Sequence, residues 1–154
     1  MERNLDPNSN GLLQDYVQSL FDEGIVNDQF SQVLTLKTED EPDSVLKLIN
    51  AYLNDAEAIL SEFPENMDIP DSDFKRLAAQ ARKISEISLC IGAEHMKLAC
   101  SDLIQACDEK QGRRFFQAVG WTKMEFSRTR GKLDALVQME KRILRLKSKQ
   151  NRAG

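Results

Sequence analysis

Histidine is the scarcest reactive residue in this sequence, since His95 is the only one among 154 residues. An HExxH zinc motif and a di-metal site built on paired Glu-x-x-His motifs are therefore excluded. None of the seven glycines belongs to a phosphate-binding loop of the GxxxxGK[ST] type. We expect no metal, no cofactor and no small-molecule substrate, and the sequence offers little support for an enzyme.

Cysteine is also scarce, with Cys90, Cys100 and Cys107 as its three occurrences. Their spacing matches none of the paired-cysteine patterns that bind zinc. We interpret all three as small side chains that face the core. A redox role stays open as the alternative, and it requires an exposed thiol with a low pKa.

Long apolar runs are absent, because no stretch approaches the roughly 18 residues that a membrane span needs. The N-terminal segment MERNLDPNSNGLL lacks the basic, apolar and small-residue order of a secretory signal. We therefore expect a soluble protein of the cell interior, without membrane insertion. A chain of 154 residues fits one domain with its own core, and we expect a monomer.

Charge is unevenly distributed along the chain. The net charge is -4, but residues 141–154 contain six basic residues and no acidic one, which leaves -10 on the rest. Such a tail suits nucleic acid, an anionic membrane surface or nuclear import. The simpler interpretation is a solvated helix end whose cations favour the negative end of the helix dipole, so nucleic acid is an unlikely partner. Elsewhere we interpret the acids as solvated helix faces with i,i+4 ion pairs.

Apolar residues recur at spacings of three and four almost throughout, which predicts an all-α protein. We predict six helices: Leu12–Glu23, a second from Asp28, a third after Asp43, a fourth from Asp71–Asp73 to Ile91, a fifth at Ala93–Asp108 and a sixth after Gly112 to about Lys147. Four long helices with short connections indicate an antiparallel four-helix bundle preceded by two short helices. The predicted organisation is a flexible segment 1–11, one domain 12–147 and a basic tail 148–154.

The core and the helix ends follow from the same pattern. The third helix carries an apolar stripe of nine positions, Val45, Leu46, Ile49, Tyr52, Leu53, Ala56, Ile59, Leu60 and Phe63. The fourth buries Phe74, Leu77, Ala81, Ile84 and Ser88, and the sixth Phe115, Val119, Thr122, Phe126, Leu133, Leu136, Val137, Ile143 and Leu144. Gly92 is expected to end the fourth helix in a left-handed cap. Gly131 lowers helix propensity, so we expect the last helix to bend or fray beyond it.

Three segments of the sequence resemble plant histidine-containing phosphotransfer (HPt) proteins. They are SLFDEGIVNDQF (19–30), EPDSVLKLINAYLNDAEAIL (41–60) and DFKRLAAQARKISEISLCIGAEHMKLAC (73–100). The first two resemble the opening of those proteins, and the third resembles their active helix and the turn after it. The resemblance implies an HPt-like bundle whose partners are receiver domains of hybrid histidine kinases and of response regulators.

The family's active helix reads H-Q-L-K-G-S-S-S-S-I-G-A, and the resemblance aligns it from both ends of 73–93. In this register Arg82 stands at the phospho-accepting histidine, Lys83 at the glutamine, Ser85 at the lysine that steadies the phosphate and Glu86 at the glycine. A shift of two residues places Gln80 at the histidine and breaks both ends of the match. Neither register restores a histidine.

Helix geometry gives this degenerate site an exposed position. At about 100° per residue, Lys75, Ala79, Arg82 and Glu86 share a stripe opposite the core positions. We predict that this stripe, together with Phe30, is the partner-binding surface. One hypothesis is that Arg82 enters the acidic pocket of a receiver, and the simpler one is an exposed ion pair with Glu86.

The resulting prediction is a pseudo-HPt protein that binds receivers without accepting phosphate and restrains cytokinin-type signalling, in the cytoplasm and the nucleus. Two alternatives stay open. The first is an active phosphorelay mediator that uses His95, although we expect His95 to be an ordinary exposed histidine. The second is a helical interaction module that binds acidic partners through its basic tail.

Overall fold

The computed structural model describes the backbone of residues 5–153 and the side chains of residues 11–150. Within that part the chain forms helices and no β-strand, which confirms the all-α class. The helices are α1 (Leu5–Asp22), α2 (Gln29–Leu34), α3 (Ser44–Leu60), α4 (Phe74–Ile91), α5 (Glu94–Asp108) and α6 (Gly112–Ala153). A 3-10 turn, Asp71–Asp73, leads into α4.

The first helix begins earlier than predicted. Helix α1 begins at Leu5 rather than at Leu12, so residues 5–11 of the segment predicted to be flexible are helical. Proline is tolerated in the first turn of a helix, because its missing N–H has no partner there, and Pro7 lies in that turn. Residues 1–4 of the predicted flexible segment lie outside the described residues.

The last helix extends further than predicted. Helix α6 continues to Ala153 instead of ending near Lys147, and it passes through Gly131 without interruption, so the predicted fraying does not occur. Buried positions on both sides of Gly131, such as Phe126 and Leu133, hold the helix against the bundle. Tertiary packing therefore outweighs the roughly 1 kcal/mol that a glycine costs a helix interior.

Helices α3 to α6 form the bundle, in which α3 and α5 each pack against both α4 and α6. The prediction of two short N-terminal helices is wrong for α1, which has 18 residues, as many as α4. All nine predicted positions of the α3 stripe are buried, as are the five predicted on α4. On α6 the predicted positions are buried except Leu144, which is partly buried. Inside the core the hydroxyls of Tyr52 and Ser88 share a hydrogen bond of 2.8 Å, so neither polar group is left without a partner.

The turn between α4 and α5 is a meeting point of three parts of the chain. Gly92 has a φ of +79°, which confirms the predicted left-handed cap. Its carbonyl accepts a hydrogen bond from the Asn27 N–H at 2.9 Å, and Val26 forms an isolated β-bridge with Ala93. The segment between α1 and α2 is thus fastened to the turn.

Most ion pairs in the described part of the chain join different elements. Only one ion pair of the described residues, between Lys47 and Asp43, has i,i+4 spacing. The prediction that the acidic residues form i,i+4 ion pairs is therefore largely wrong. Tertiary packing brings opposite charges together that are distant in sequence. The most buried of these pairs joins Lys37 to Glu140 at 2.8 Å, with the Glu140 side chain only 5% exposed.

The three cysteines differ in environment. Cys100 and Cys107 are buried, as predicted, whereas Cys90 is exposed on the outer side of the last turn of α4, so the prediction for Cys90 is wrong. Burial raises the pKa of the Cys100 thiol to about 12 and that of the Cys107 thiol to about 11. None of the described helices has the length and apolarity to cross a membrane.

Replacing Gly92 by alanine should lower the free energy of unfolding by about 2 kcal/mol or more. The left-handed backbone strains an L-residue, and the added Cβ lies 2.7 Å from the Phe30 nitrogen and from Asn27 Oδ1. Gly120→Ala is the matched control: its Cβ meets nothing within 4 Å, and we expect a gain of about 0.5–1 kcal/mol. Urea denaturation measures both, and equal effects would contradict the role of the turn.

Ellman's reagent should titrate one thiol, Cys90, in the native protein at about pH 8, because a thiol with a pKa near 11 or 12 has almost no thiolate at that pH. Cys100 and Cys107 should react only after unfolding in urea. Cys90→Ser removes the native reaction and leaves the other two. Rapid native reaction of all three thiols would show that the buried pair is accessible.

Candidate functional site

The outward face of α4 carries the predicted degenerate site. Lys75, Ala79, Arg82 and Glu86 are all exposed, which confirms the predicted stripe. Lys83 is exposed beside it, and Ser85 is half-buried. The stripe faces outward because the other side of α4, from Phe74 to Ile91, packs into the bundle.

Arg82 has an ion-pair partner on the neighbouring helix. Its Nη2 donates to both carboxylate oxygens of Asp108, at 3.1 and 3.0 Å. The predicted pair with Glu86 is wrong, because the guanidinium extends across to the last turn of α5 instead of along α4. Both members of the Arg82–Asp108 pair are 52% exposed. Such exposed pairs contribute little, typically below about 1 kcal/mol, so the guanidinium is available for exchange.

A groove of about 430 Å³ lies beside this pair. It is lined by Asp71, Ser72, Phe74, Lys75, Ala78, Arg82, Cys107, Asp108 and Lys110. Three cations and two carboxylates therefore surround an opening that runs from the start of α4 to the end of α5. Burial is the main cause of the raised pKa of Cys107 at its floor, while Asp108 raises it further and Arg82 lowers it. The Cys107 thiol is therefore uncharged near neutral pH and adds no charge to the groove.

Phe30 does not belong to the partner-binding surface, and that prediction is wrong. Its side chain is 0% exposed and its ring lies 6.2 Å from that of Phe21. The segment that precedes it is hydrogen-bonded to the turn at Gly92, which draws the start of α2 into the core. The candidate surface is therefore limited to α4 and the adjoining end of α5.

His95 is half-buried, so the prediction of an ordinary exposed histidine is wrong. Its Nε2 is inaccessible and has no hydrogen-bond partner among the described residues. The segment between α1 and α2 covers this nitrogen. The Glu94 N–H donates to the Ile25 carbonyl at 3.2 Å, and a Cβ on Gly24 would lie 3.7 Å from Nε2. Nε2 is thus shielded from a large phosphate donor.

Sequence reasoning missed the three other charged residues that line the groove, Asp71, Asp108 and Lys110. Aspartate and lysine are common at helix ends, and the sequence around these three residues does not distinguish them from ordinary solvent-exposed charged residues. The antiparallel pairing of α4 and α5 was predictable from the sequence. Whether Arg82 meets Asp108 across the two helices also depends on their relative shift along the axis and on the arginine rotamer, which the sequence does not give. Lys110 has a φ of +55°, which a non-glycine residue seldom adopts.

No metal cluster forms in the described part of the chain, since no three potential ligands lie close enough together. The site consists of exposed charges on two antiparallel helices around a groove. It can bind an acidic surface through Lys75, Arg82 and Lys110. It offers no exposed imidazole for group transfer, because α4 contains no histidine.

Comparison with known proteins identifies the family. Histidine-containing phosphotransfer protein 1 of Arabidopsis thaliana is 30% identical to this chain over 132 residues, which are 86% of each protein. The chain belongs to the histidine-containing phosphotransfer family. No family model matches it.

Two further comparisons place this HPt chain among its relatives. Pseudo histidine-containing phosphotransfer protein 2 of rice is 25% identical over 126 residues, 82% of this chain and 83% of the relative. The crystal structure of an HPt protein from maize superposes with a TM-score of 0.79 at 28% identity, and the match covers 88% of this chain and 99% of that one. The relatives therefore include both HPt and pseudo-HPt proteins of plants.

The Arg82–Asp108 pair should contribute about 0.5 kcal/mol to stability, as measured by a double-mutant cycle with alanine at each position, and salt should weaken it. Lys37→Met is the contrasting variant, because it leaves the Glu140 carboxylate buried without its partner and should cost about 3 kcal/mol. Urea denaturation measures all the variants. A coupling as large as the Lys37→Met effect would show that Arg82 is structural rather than exchangeable.

Proposed function

We propose that this HPt chain is a pseudo-phosphotransfer protein. It binds receiver domains of hybrid histidine kinases and of response regulators, accepts no phosphate, and so acts as a negative regulator of a cytokinin-type phosphorelay. The observation that carries this proposal is the residue at the exposed centre of α4, which is Arg82. The chain is therefore a binding protein and not a catalyst of phosphoryl transfer.

The chemistry of Arg82 supports the absence of phosphoryl transfer. A guanidinium stays protonated at all physiological pH values and has no free lone pair, so it cannot form a phosphoramidate with a phosphoryl group. Two carboxylates, Glu86 on the same face and Asp108 paired with Arg82, add negative charge where a phosphoryl group would bring more. Ser85 supplies no cation at the position that the resemblance assigns to lysine.

The exposed geometry supports retention of receiver binding. Arg82, Lys75 and Lys110 border the groove and offer cations to an acidic pocket. Since the Arg82–Asp108 pair is half exposed, carboxylates of a receiver can take the guanidinium from Asp108 at a cost below about 1 kcal/mol. Arg82 then forms charge-assisted hydrogen bonds across the interface. We propose this exchange as the contact that Arg82 contributes.

The alternative of an active mediator finds no support in the position of His95. Its Nε2 lies beneath the segment between α1 and α2, on α5 and away from the exposed face of α4. Phosphorylation at Nε2 requires that segment to detach from the turn at Gly92. The buried core positions of α2, Phe30 and Val33, oppose such detachment.

A phosphotransfer assay run beside a receiver pull-down tests the proposal. Incubated with a phosphorylated receiver, the wild-type chain should gain no acid-labile label, yet it should be retained by that receiver. Arg82→Ala should weaken retention without changing the far-ultraviolet circular dichroism. The combined variant Arg82→His, Ser85→Lys and Glu86→Gly should accept label, because it restores the histidine, the cation and the open approach.

The same triple variant with His95→Gln is the matched control, and its label should be unchanged. Label on the wild-type chain that disappears in His95→Gln would overturn the proposal in favour of an active mediator. A folded triple variant that stays unlabelled would show that the loss of transfer extends beyond α4. Unlabelled wild-type chain that no receiver retains would remove the regulatory role.

A further inference from the structure

The C-terminal end of α6 carries a basic face that the proposed receiver surface does not include. Lys141, Arg142, Arg145 and Lys149 are all exposed. On a helix of about 100° per residue they fall within an arc of about 100° and span about 12 Å along the axis. In the described part of the chain, none of the four forms an ion pair with a carboxylate.

Packing of the opposite side holds this face outward. Ile143 is 5% exposed and Leu144 packs at the edge of the core. One turn earlier, the buried Glu140 is tied to Lys37 in the loop between α2 and α3. These contacts fix the backbone of α6 on the bundle, so the four cationic side chains extend from its outward side.

An open groove of about 780 Å³ borders the basic face. Lys37, Thr38, Glu39 and Pro42 line it from the loop, and Leu144, Lys147 and Ser148 line it from α6. Glu39 is the one acidic residue of this lining, and two of the other six are cations. By the helical repeat, Ser148 lies only about 20° around the axis from Lys141, so the groove and the basic face are contiguous. Leu144 and Pro42 give the groove apolar walls.

We propose that the end of α6 is a docking site for an acidic, partly apolar segment of a partner protein. The carboxylates of that segment pair with Lys141, Arg145 and Lys149, which lie at i,i+4 spacing along one row. Its apolar side chains occupy the groove between Pro42 and Leu144. The site is independent of Arg82 and of receiver binding.

The same surface fits other anionic partners less well. A flat anionic membrane would meet the rest of the chain, whose net charge is -10, and the apolar side of α6 is already packed in the bundle and cannot insert. Residues 141–154 contain no aromatic side chain on which a base could stack. A nucleic acid backbone would also leave the apolar groove empty. A narrow acidic peptide uses both features.

Fluorescence anisotropy of the full-length chain with a labelled peptide tests the proposal. The probe carries four Glu and three Leu in a helical i,i+4 pattern. It should bind in low salt, and exchange of its Glu for Gln, or of its Leu for Ser, should weaken binding about tenfold in each case. A duplex DNA and vesicles of anionic phospholipid are compared at the same salt.

Two double variants of equal charge change locate the site. Arg145→Glu with Lys149→Glu should weaken peptide binding about tenfold or more, whereas Arg113→Glu with Arg128→Glu, two exposed arginines elsewhere on α6, should change it less than about twofold. Circular dichroism and urea denaturation confirm that both variants fold. Equal losses in the two variants would overturn the proposal, as would DNA or vesicles that bind at least as tightly as the peptide.

Discussion

Between α4 and α5 the chain reverses over Gly92, whose φ of +79° and lack of a Cβ let the segment 25–27 approach within hydrogen-bonding distance. The arrangement of the site depends on this close approach. It sets α5 beside α4, so that Asp108 can meet Arg82, and it holds the start of α2 in the core. The same contact covers Nε2 of His95. One backbone constraint thus presents the α4 face and shields one nitrogen of the single histidine.

Burial divides the ion pairs of this protein into two functional kinds. Lys37 and Glu140 join a loop to α6 where water is largely excluded, so their separation is costly and the pair stabilises the fold. Arg82 and Asp108 lie in solvent at the edge of a groove, where water and other carboxylates compete for the guanidinium. A side chain held in this way keeps its position on the surface and still accepts another partner.

The two binding surfaces proposed for the chain differ in composition for a related reason. The α4 face mixes Lys75, Arg82 and Lys110 with Asp71 and Asp108, which suits exchange of one ion pair for another. The end of α6, residues 141–154, has six basic residues and no acidic one, and it adjoins a groove whose apolar walls are Pro42 and Leu144. Helix α6 therefore contributes core packing along one side, and along the other a row of cations that form no ion pair within the described residues.

The sequence by itself determined the helical class, the stripes that form the core, the left-handed turn at Gly92 and the outward position of Arg82. These features depend on helical periodicity and on the conformational freedom of glycine, both of which are local. The family resemblance added the alignment of α4 with the family's active helix, which helical periodicity alone cannot provide. Helix ends were less predictable, because packing carries α6 through Gly131 and because α1 extends back to Leu5.

Only the tertiary structure decided which neighbours these residues have. Phe30 and His95 are covered by a contact between segments far apart in the sequence, whereas Cys90 lies outside the core although its residue type is often buried. Arg82 pairs with Asp108 rather than Glu86, because a long side chain reaches the adjacent helix as easily as the next turn of its own. Local pattern sets the direction of a side chain, and the packing of distant segments sets what it meets.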